Sequence, residues 1–359
     1  MKTIQLLLLT LLAVALPASA DIEVRLAVKF IQHPNGAVPM FPFPGWGASN
    51  ANITNYTGFE AEVQRGNGIL AATGRGYRLR AVSYAYLQPP IPAGQPQDYW
   101  YNIDARANRA TIESAALGDY LFNGPNRWDW DVTAINVFVN NSASGQCSFV
   151  GNGLSISLGG TVSPGTVLHE IGHFFNLSHT HGGDPTCNDA AGNPNPIGPP
   201  SDGDGLAETL PDNACYTTRD QLSMGNYGVN YAALNATQQA AVNDTWFNVM
   251  SYHAEDRLLD IQMDHWAWNA NLDRHWFCDG YTVFVAPWGS DPFLQGPGNG
   301  LQANAPLATM GSALFGVSLR SPATTDVILF NGGTYTAPAG LITTACTLRA
   351  TRGPVTLTR

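Results

Sequence analysis

A chain of 359 residues with 27 acidic against 17 basic side chains carries a formal net charge of −10. That balance argues against nucleic acid and anionic membrane as partners, since both select for basic patches. At roughly 100–200 residues per domain, the length accommodates one large or two ordinary domains with a sizeable core.

The first twenty residues read as a secretory signal. Lys2 precedes an apolar run from Ile4 to Leu16, and Pro17 with Ala18-Ser19-Ala20 supplies a small-residue cleavage site. The run is short for a transmembrane span, and no later segment approaches the ~20 apolar residues such a helix needs. An exported mature chain is therefore expected from Asp21. Residues 22–32 alternate apolar and polar side chains and predict a half-buried strand. With no cysteine ahead of Cys147, latency through a cysteine on a propeptide is not expected.

A Gly/Pro/Asn-rich loop over 34–53 leads to an expected helix at about 56–72 and a strand at 76–87. A second helix at about 108–122, a strand at 131–140 and a weaker strand at 154–159 follow. Helices interleaved with strands predict an α/β (α+β) layered domain. Ser163 and Pro164 are the preferred cap and first-turn residues for a helix running to about Phe175. Residues 182–230 show little periodicity and many turn formers, a stretch too long to be an idle connection. A helix ending near Trp246, the segment NVMSY and an apolar-aromatic segment from Leu258 to Leu272 complete a domain expected to span 21–278. From 279 to 359 there is no histidine, charges are few and short β-favouring runs such as TVFVAP and DVILFN recur, which predicts a small all-β domain.

Chemistry concentrates in HEIGHFFNLSH. His169 and His173 lie four residues apart on the expected helix, so their imidazoles project from one face and can reach a single ion. Glu170 beside them completes HExxH, a zinc signature in which the glutamate is the general base. A catalytic zinc site uses three protein ligands and keeps a position open. His179 provides the third if the chain leaves the helix at Asn176 and reverses sharply. Such a turn needs positive φ, where Gly is easiest and Asn next. His181, His253 and His265 are read as ordinary histidines. Asp202, Asp204 and Glu208 form either a calcium site or a solvated acidic loop. Of the five cysteines, Cys187 and Cys215 flank the turn-rich loop and are expected to bridge it; the pairing of Cys147, Cys278 and Cys346 is open.

HEIGHFFNLSH resembles the extended metzincin pattern HExxHxxGxxH, with Asn176 in the glycine position. Asn248-Val249-Met250-Ser251-Tyr252 resembles the Met-turn of that clan, which implies that Met250 forms an apolar floor beneath the histidines and that Tyr252 approaches the metal or the reaction oxyanion. The HTH segment, Cys187, DGDGLAET and Cys215 look like the pappalysin family of cytophagalysin- and ulilysin-like peptidases, with the resemblance extending over 21–278. It implies a mixed twisted sheet, an active-site helix, bound zinc, and secreted endopeptidase activity on protein or peptide substrates. The alternative is a zinc-stabilised, non-catalytic surface-binding or adhesion module. The tail resembles the opening rungs of a pectate-lyase-type parallel β-helix, but 281–359 offers no carboxylate cluster for lyase chemistry.

Overall fold

The computed structural model describes residues 21–39, 51–122, 125–142, 145–147, 153–183, 187, 195, 197–254, 256–287, 289, 301–303, 305–318, 326–337 and 346–358. The expected signal segment lies outside these residues. In chain order the elements are β1 (Ile22–Ile31), β2 (Ala51–Asn52), α1 (Tyr56–Ala72), β3 (Tyr77–Leu87), α2 (Tyr99–Asn102), α3 (Ala105–Phe122), β4 (Ile135–Asn140), β5 (Gly145–Cys147), β6 (Ser155–Gly159) and β7 (Thr161–Val162). Then come α4 (Thr166–Phe174), α5 (Arg219–Tyr227), α6 (Ala236–Trp246), α7 (Asp260–Leu272), β8 (Thr282–Val285), α8 (Met310–Ser318), β9 (Val327–Thr336) and β10 (Thr347–Thr358). Two compact units result. The larger comprises Val24–Thr73 and Arg78–Cys278; residues 21–23 and 74–77 group with the C-terminal unit from Asp279. Among the described residues, no helix is long and apolar enough to cross a membrane.

The larger unit is a mixed α/β layer structure around a five-stranded sheet ordered β3-β1-β4-β6-β5. β1, β4 and β6 run parallel, and β5 closes one edge antiparallel to β6. The half-buried expectation for β1 is corrected here, since nine of its ten residues are buried. β1 lies inside the sheet with both edges paired, and the burial of successive residues shows that both of its faces are covered. The face bearing Ile31 and Phe138 packs on Ile112 and Ala116 of α3 and on Trp128 and Trp130. Of the polar residues that produced the alternation, Lys29 is satisfied inside: its Nζ donates to Ala27 O at 2.9 Å and Asn136 Oδ1 at 2.7 Å. α1 begins on Asn55, whose side chain accepts from Gly58 N. It approaches α4 closely at Gly66, where an added Cβ would stand 3.1 Å from Leu79 Cδ1 and 3.5 Å from Leu168 Cβ.

Within the stretch expected to lack periodicity, α5 forms behind a capping box. Thr218 accepts from Gln221 N while the Gln221 side chain accepts from Thr218 N. Leu222 of α5 and Val242 of α6 then share a small core with Tyr216 and Leu234. The expected Cys187–Cys215 bridge is formed, with Cα atoms 5.2 Å apart.

In the C-terminal unit β8, β9 and β10 make a parallel sheet in which Thr282, Val327 and Thr347 align. The expectation of an all-β unit is corrected by α8. Met310, Ala313 and Val317 recur at helical spacing and enter one core with Val283, Val285, Ile328, Phe330 and Tyr335.

Candidate metal centre

Helix α4 starts later than the sequence suggested. Its cap is Gly165, at φ 97°, not Ser163. A left-handed backbone at that position excludes Ser163 and Pro164 from the helix. The capping task passes to a carboxylate from far along the chain: Glu62 Oε2 of α1 accepts from Gly165 N at 2.7 Å. An acidic group at a helix N-terminus is favoured by the helix dipole, while burial pushes the Glu62 carboxyl above its usual range. Every residue from Val167 to Phe174 is buried, including His169, Glu170 and His173.

The helix ends as a Schellman turn centred on the expected residue. Asn176 has φ 66°; its N–H reaches His173 O at 2.8 Å, and Leu177 N reaches Gly172 O at 3.0 Å. This reversal also orients a candidate ligand, because His173 Nδ1 donates to Leu177 O at 2.6 Å. His169 Nδ1 donates to Val249 O at 2.6 Å. Both Nε2 lone pairs are thereby turned toward the same point, where His179 Nε2 lies 3.2 Å from that of His169 and 2.9 Å from that of His173. Burial, reinforced by neighbouring histidines, holds His169 down to about 4 and pushes His173 and His179 well below the ordinary imidazole range. All three rings are therefore neutral at physiological pH, the form that ligates metal.

These residues fit a zinc ion. Nitrogens of a tetrahedral site with bonds of ~2.0–2.1 Å stand roughly 3.3 Å apart, close to the spacings present. Fixing Nδ1–H on a backbone carbonyl is the usual outer-shell device for a ligating histidine. Among the described residues, these three are the one group of His, Cys, Asp or Glu whose ligand atoms all gather within 4.8 Å.

The turn at 248–251 lies directly against α4. Asn248 Oδ1 accepts from Met250 N at 2.8 Å, and Asn248 exchanges amide hydrogen bonds with Gln262 of α7. Met250 is fully buried, and a Cβ on Gly172 would come within 2.6 Å of its sulfur. The second variable position of HExxH is thus small because the methionine occupies the space. Tyr252 is 42% exposed, with its ring centroid 5.8 Å from that of His169 and 4.8 Å from that of His179.

Of the other singled-out residues, His181 borders the trio and the rest lie outside it. His181 stacks on His179 at 4.6 Å, and its Nδ1 donates to Gly183 O. His253 faces Asp212, and His265 sits on α7. Asp202, Asp204 and Glu208 do not gather as the histidines do. Asp202 accepts from Gly205 N, and Asp204 from Leu206 N and the Thr209 hydroxyl, so each closes its own loop. Glu208 accepts from Ile261 N at the start of α7. Sequence reading missed Glu62, Gly172, Gln262 and Asp212. Of these only Gly172 carried a signal, a glycine placed inside a buried helix.

No protein-family model matches the chain, and no curated protein does. Among solved structures it is similar to Tannerella forsythia mature mirolysin in complex with a cleaved peptide, at 12% identity over 73% of this chain and 96% of that one, with a TM-score of 0.36. It is also similar to a chaperone-substrate complex, at 13% identity over 66% of this chain and 37% of that one, with a TM-score of 0.29. At these scores neither likeness bears on what the chain does.

Proposed function

We propose that this chain is a secreted zinc-dependent endopeptidase, with His169, His173 and His179 as metal ligands and Glu170 as general base. The observation that carries the reading is the convergence of three Nε2 atoms, two of them aimed by Nδ1–H bonds to backbone carbonyls. When bound, zinc supplies Lewis acidity that polarises a peptide carbonyl and lowers the pKa of a water toward about 7.

The protein's own groups do the rest. The neutral imidazoles hold their positions without charge repulsion. Glu170, adjacent to His169 on a buried helix, accepts the proton of the attacking water and delivers it to the leaving amine. Tyr252, at the solvent-facing side of the trio, donates its hydroxyl proton in a hydrogen bond to the developing oxyanion. The turn beneath α4, with Met250 against Gly172, plays the part of the Met-turn and keeps the ligand helix at a fixed height. Asp202, Asp204 and Glu208 each accept from a separate backbone donor through one oxygen, and either a calcium site or a solvated acidic loop fits that arrangement.

Export is supported by the Cys187–Cys215 bridge, since disulfides persist in oxidising compartments. The substrate is a protein or peptide. The peptidase domain is proposed to span 21–278. For the tail, the parallel register of β8, β9 and β10 supports a stacked-coil reading.

Glu170→Gln tests the reading. The variant is expected to hold one zinc per chain by metal analysis while hydrolysis of casein or a peptide library falls about 10²–10⁴-fold. Full activity in that variant would sink the mechanism. One zinc per chain with no cleavage by the unaltered protein would point instead to a zinc-stabilised binding module.

A further inference from the structure

The third imidazole is the one ligand that no helix holds. His179 sits on a segment outside α4, so its position depends on what fixes residues 179–181. The backbone gives part of the answer: Thr180 N donates to Met250 O at 3.1 Å, and Gly203 N donates to Thr180 O at 3.1 Å. The remainder converges on one buried carboxylate. Asp212 Oδ2 accepts the Thr180 hydroxyl at 2.9 Å, and both Asp212 oxygens face His253 Nε2, at 3.0 and 3.1 Å. The Asp212 side chain is fully buried and that of His253 nearly so. Asn213 N donates to Asp212 Oδ1 at 2.7 Å, and the Asp212 backbone exchanges two hydrogen bonds with Ser201. The His253 ring is itself clamped, stacked on Trp246 at 4.1 Å with only 5° between the planes.

We infer that Asp212 is a positioning residue for the metal centre: through the Thr180 hydroxyl it fixes His179, and through His253 it ties that segment to the turn bearing Met250 and Tyr252. This inference rests on the zinc-peptidase reading of the histidine trio. A buried carboxylate suits the task because its two oxygens accept from two segments at once. An amide at the same position offers a single acceptor oxygen and turns an N–H₂ toward one of the two partners. Residues that orient metal ligands from behind typically change metal affinity 10–100-fold when altered.

The test measures zinc affinity of the full chain by competition with a chelating indicator, alongside thermal unfolding of the zinc-free protein. Thr180→Val, which removes only the hydroxyl, is expected to weaken zinc binding about tenfold, and Asp212→Asn at least as much. Thr180→Ser, which restores the hydroxyl, is expected to return affinity to within about twofold of the unaltered protein. Should Asp212→Asn fail to fold, the Thr180 pair decides alone. If Thr180→Val binds zinc as tightly as the unaltered chain and only its unfolding temperature falls, the cluster is core packing and the inference is overturned. An unaltered chain that binds no zinc overturns the reading of the trio itself, a result separable from parity among the variants.

Discussion

Replacing Gly172 by alanine sets two effects of known size against each other. In a helix interior, alanine is favoured over glycine by about 1 kcal/mol. Here the new methyl would stand 2.6 Å from Met250 Sδ, well inside the ~3.5–4.0 Å optimum for nonbonded atoms, while Met250 Cε and Leu177 Cδ1, both at 3.5 Å, would be in ordinary contact. Met250 is 0% exposed and Leu177 2% exposed, so neither can swing away into solvent. Overpacking of this kind costs about 1–3 kcal/mol, which leaves Gly172→Ala destabilising by about 0–2 kcal/mol despite its helical advantage. In a Met250→Ala background the obstacle is gone, so the same substitution should reverse sign and stabilise by about 1 kcal/mol. The coupling between the two sites is then about 1–3 kcal/mol, measurable as a double-mutant cycle. Urea denaturation with chelator present, followed by tryptophan fluorescence, is a suitable assay because one of the nine indoles, Trp266, stacks on Phe175 at the end of the helix at 4.4 Å. Stabilisation by Gly172→Ala alone, or additivity of the two changes within about 0.5 kcal/mol, would refute the packing of the methionine against the ligand helix.

Asn176→Gly should be neutral or stabilising by up to about 1 kcal/mol, since it relieves an L-residue at φ 66°, whereas Asn176→Val should cost about 1–3 kcal/mol; urea midpoints of the two variants check the ordering. Lys29 supplies a pH test, because burial lowers its ammonium to about 7. Below that pH both folded and unfolded chains hold the proton, and above about 10.5 neither does. Between those limits the unfolded chain binds more protons, so stability rises with pH. The lysine contribution should grow by about 2 kcal/mol from pH 6.5 to 9. Lys29→Met should lack this slope in denaturation curves at the two pH values, and an unchanged slope would count against the buried amine. Reducing or replacing the Cys187–Cys215 bridge, whose partners are 28 residues apart, should cost about 3.5 kcal/mol on the loop-entropy relation. Comparison of Cys187→Ser/Cys215→Ser with the oxidised chain in urea measures it.

Elements built from local pattern were legible in the sequence. α1 occupies the stretch where the periodicity placed it, and β3 departs from expectation by only one residue. The helix-ending turn was legible for a stereochemical reason, since few residues tolerate the φ that Asn176 adopts. What escaped depends on partners distant in the chain. The start of α4 is decided by Glu62, 103 residues before Gly165, and no local rule reports that carboxylate. The alternation in β1 suggested one wet face, but Lys29 and Asn136 satisfy each other inside the sheet. α5 was hidden among turn formers although Thr218 and Gln221 carried the spacing of a capping box. The three histidines of the trio were legible as residues; the carbonyls of Val249 and Leu177 that orient two of them were not, because any residue type can contribute a carbonyl.

That last feature makes the centre unequal in its tolerance of change. Since the peptide backbone dictates the protonation pattern of His169 and His173, single-residue variation elsewhere has little leverage over either ring. His179 enjoys no such insurance. Drift that erodes metal affinity without touching a ligand should therefore accumulate around the third histidine, and engineering for tighter retention should begin there.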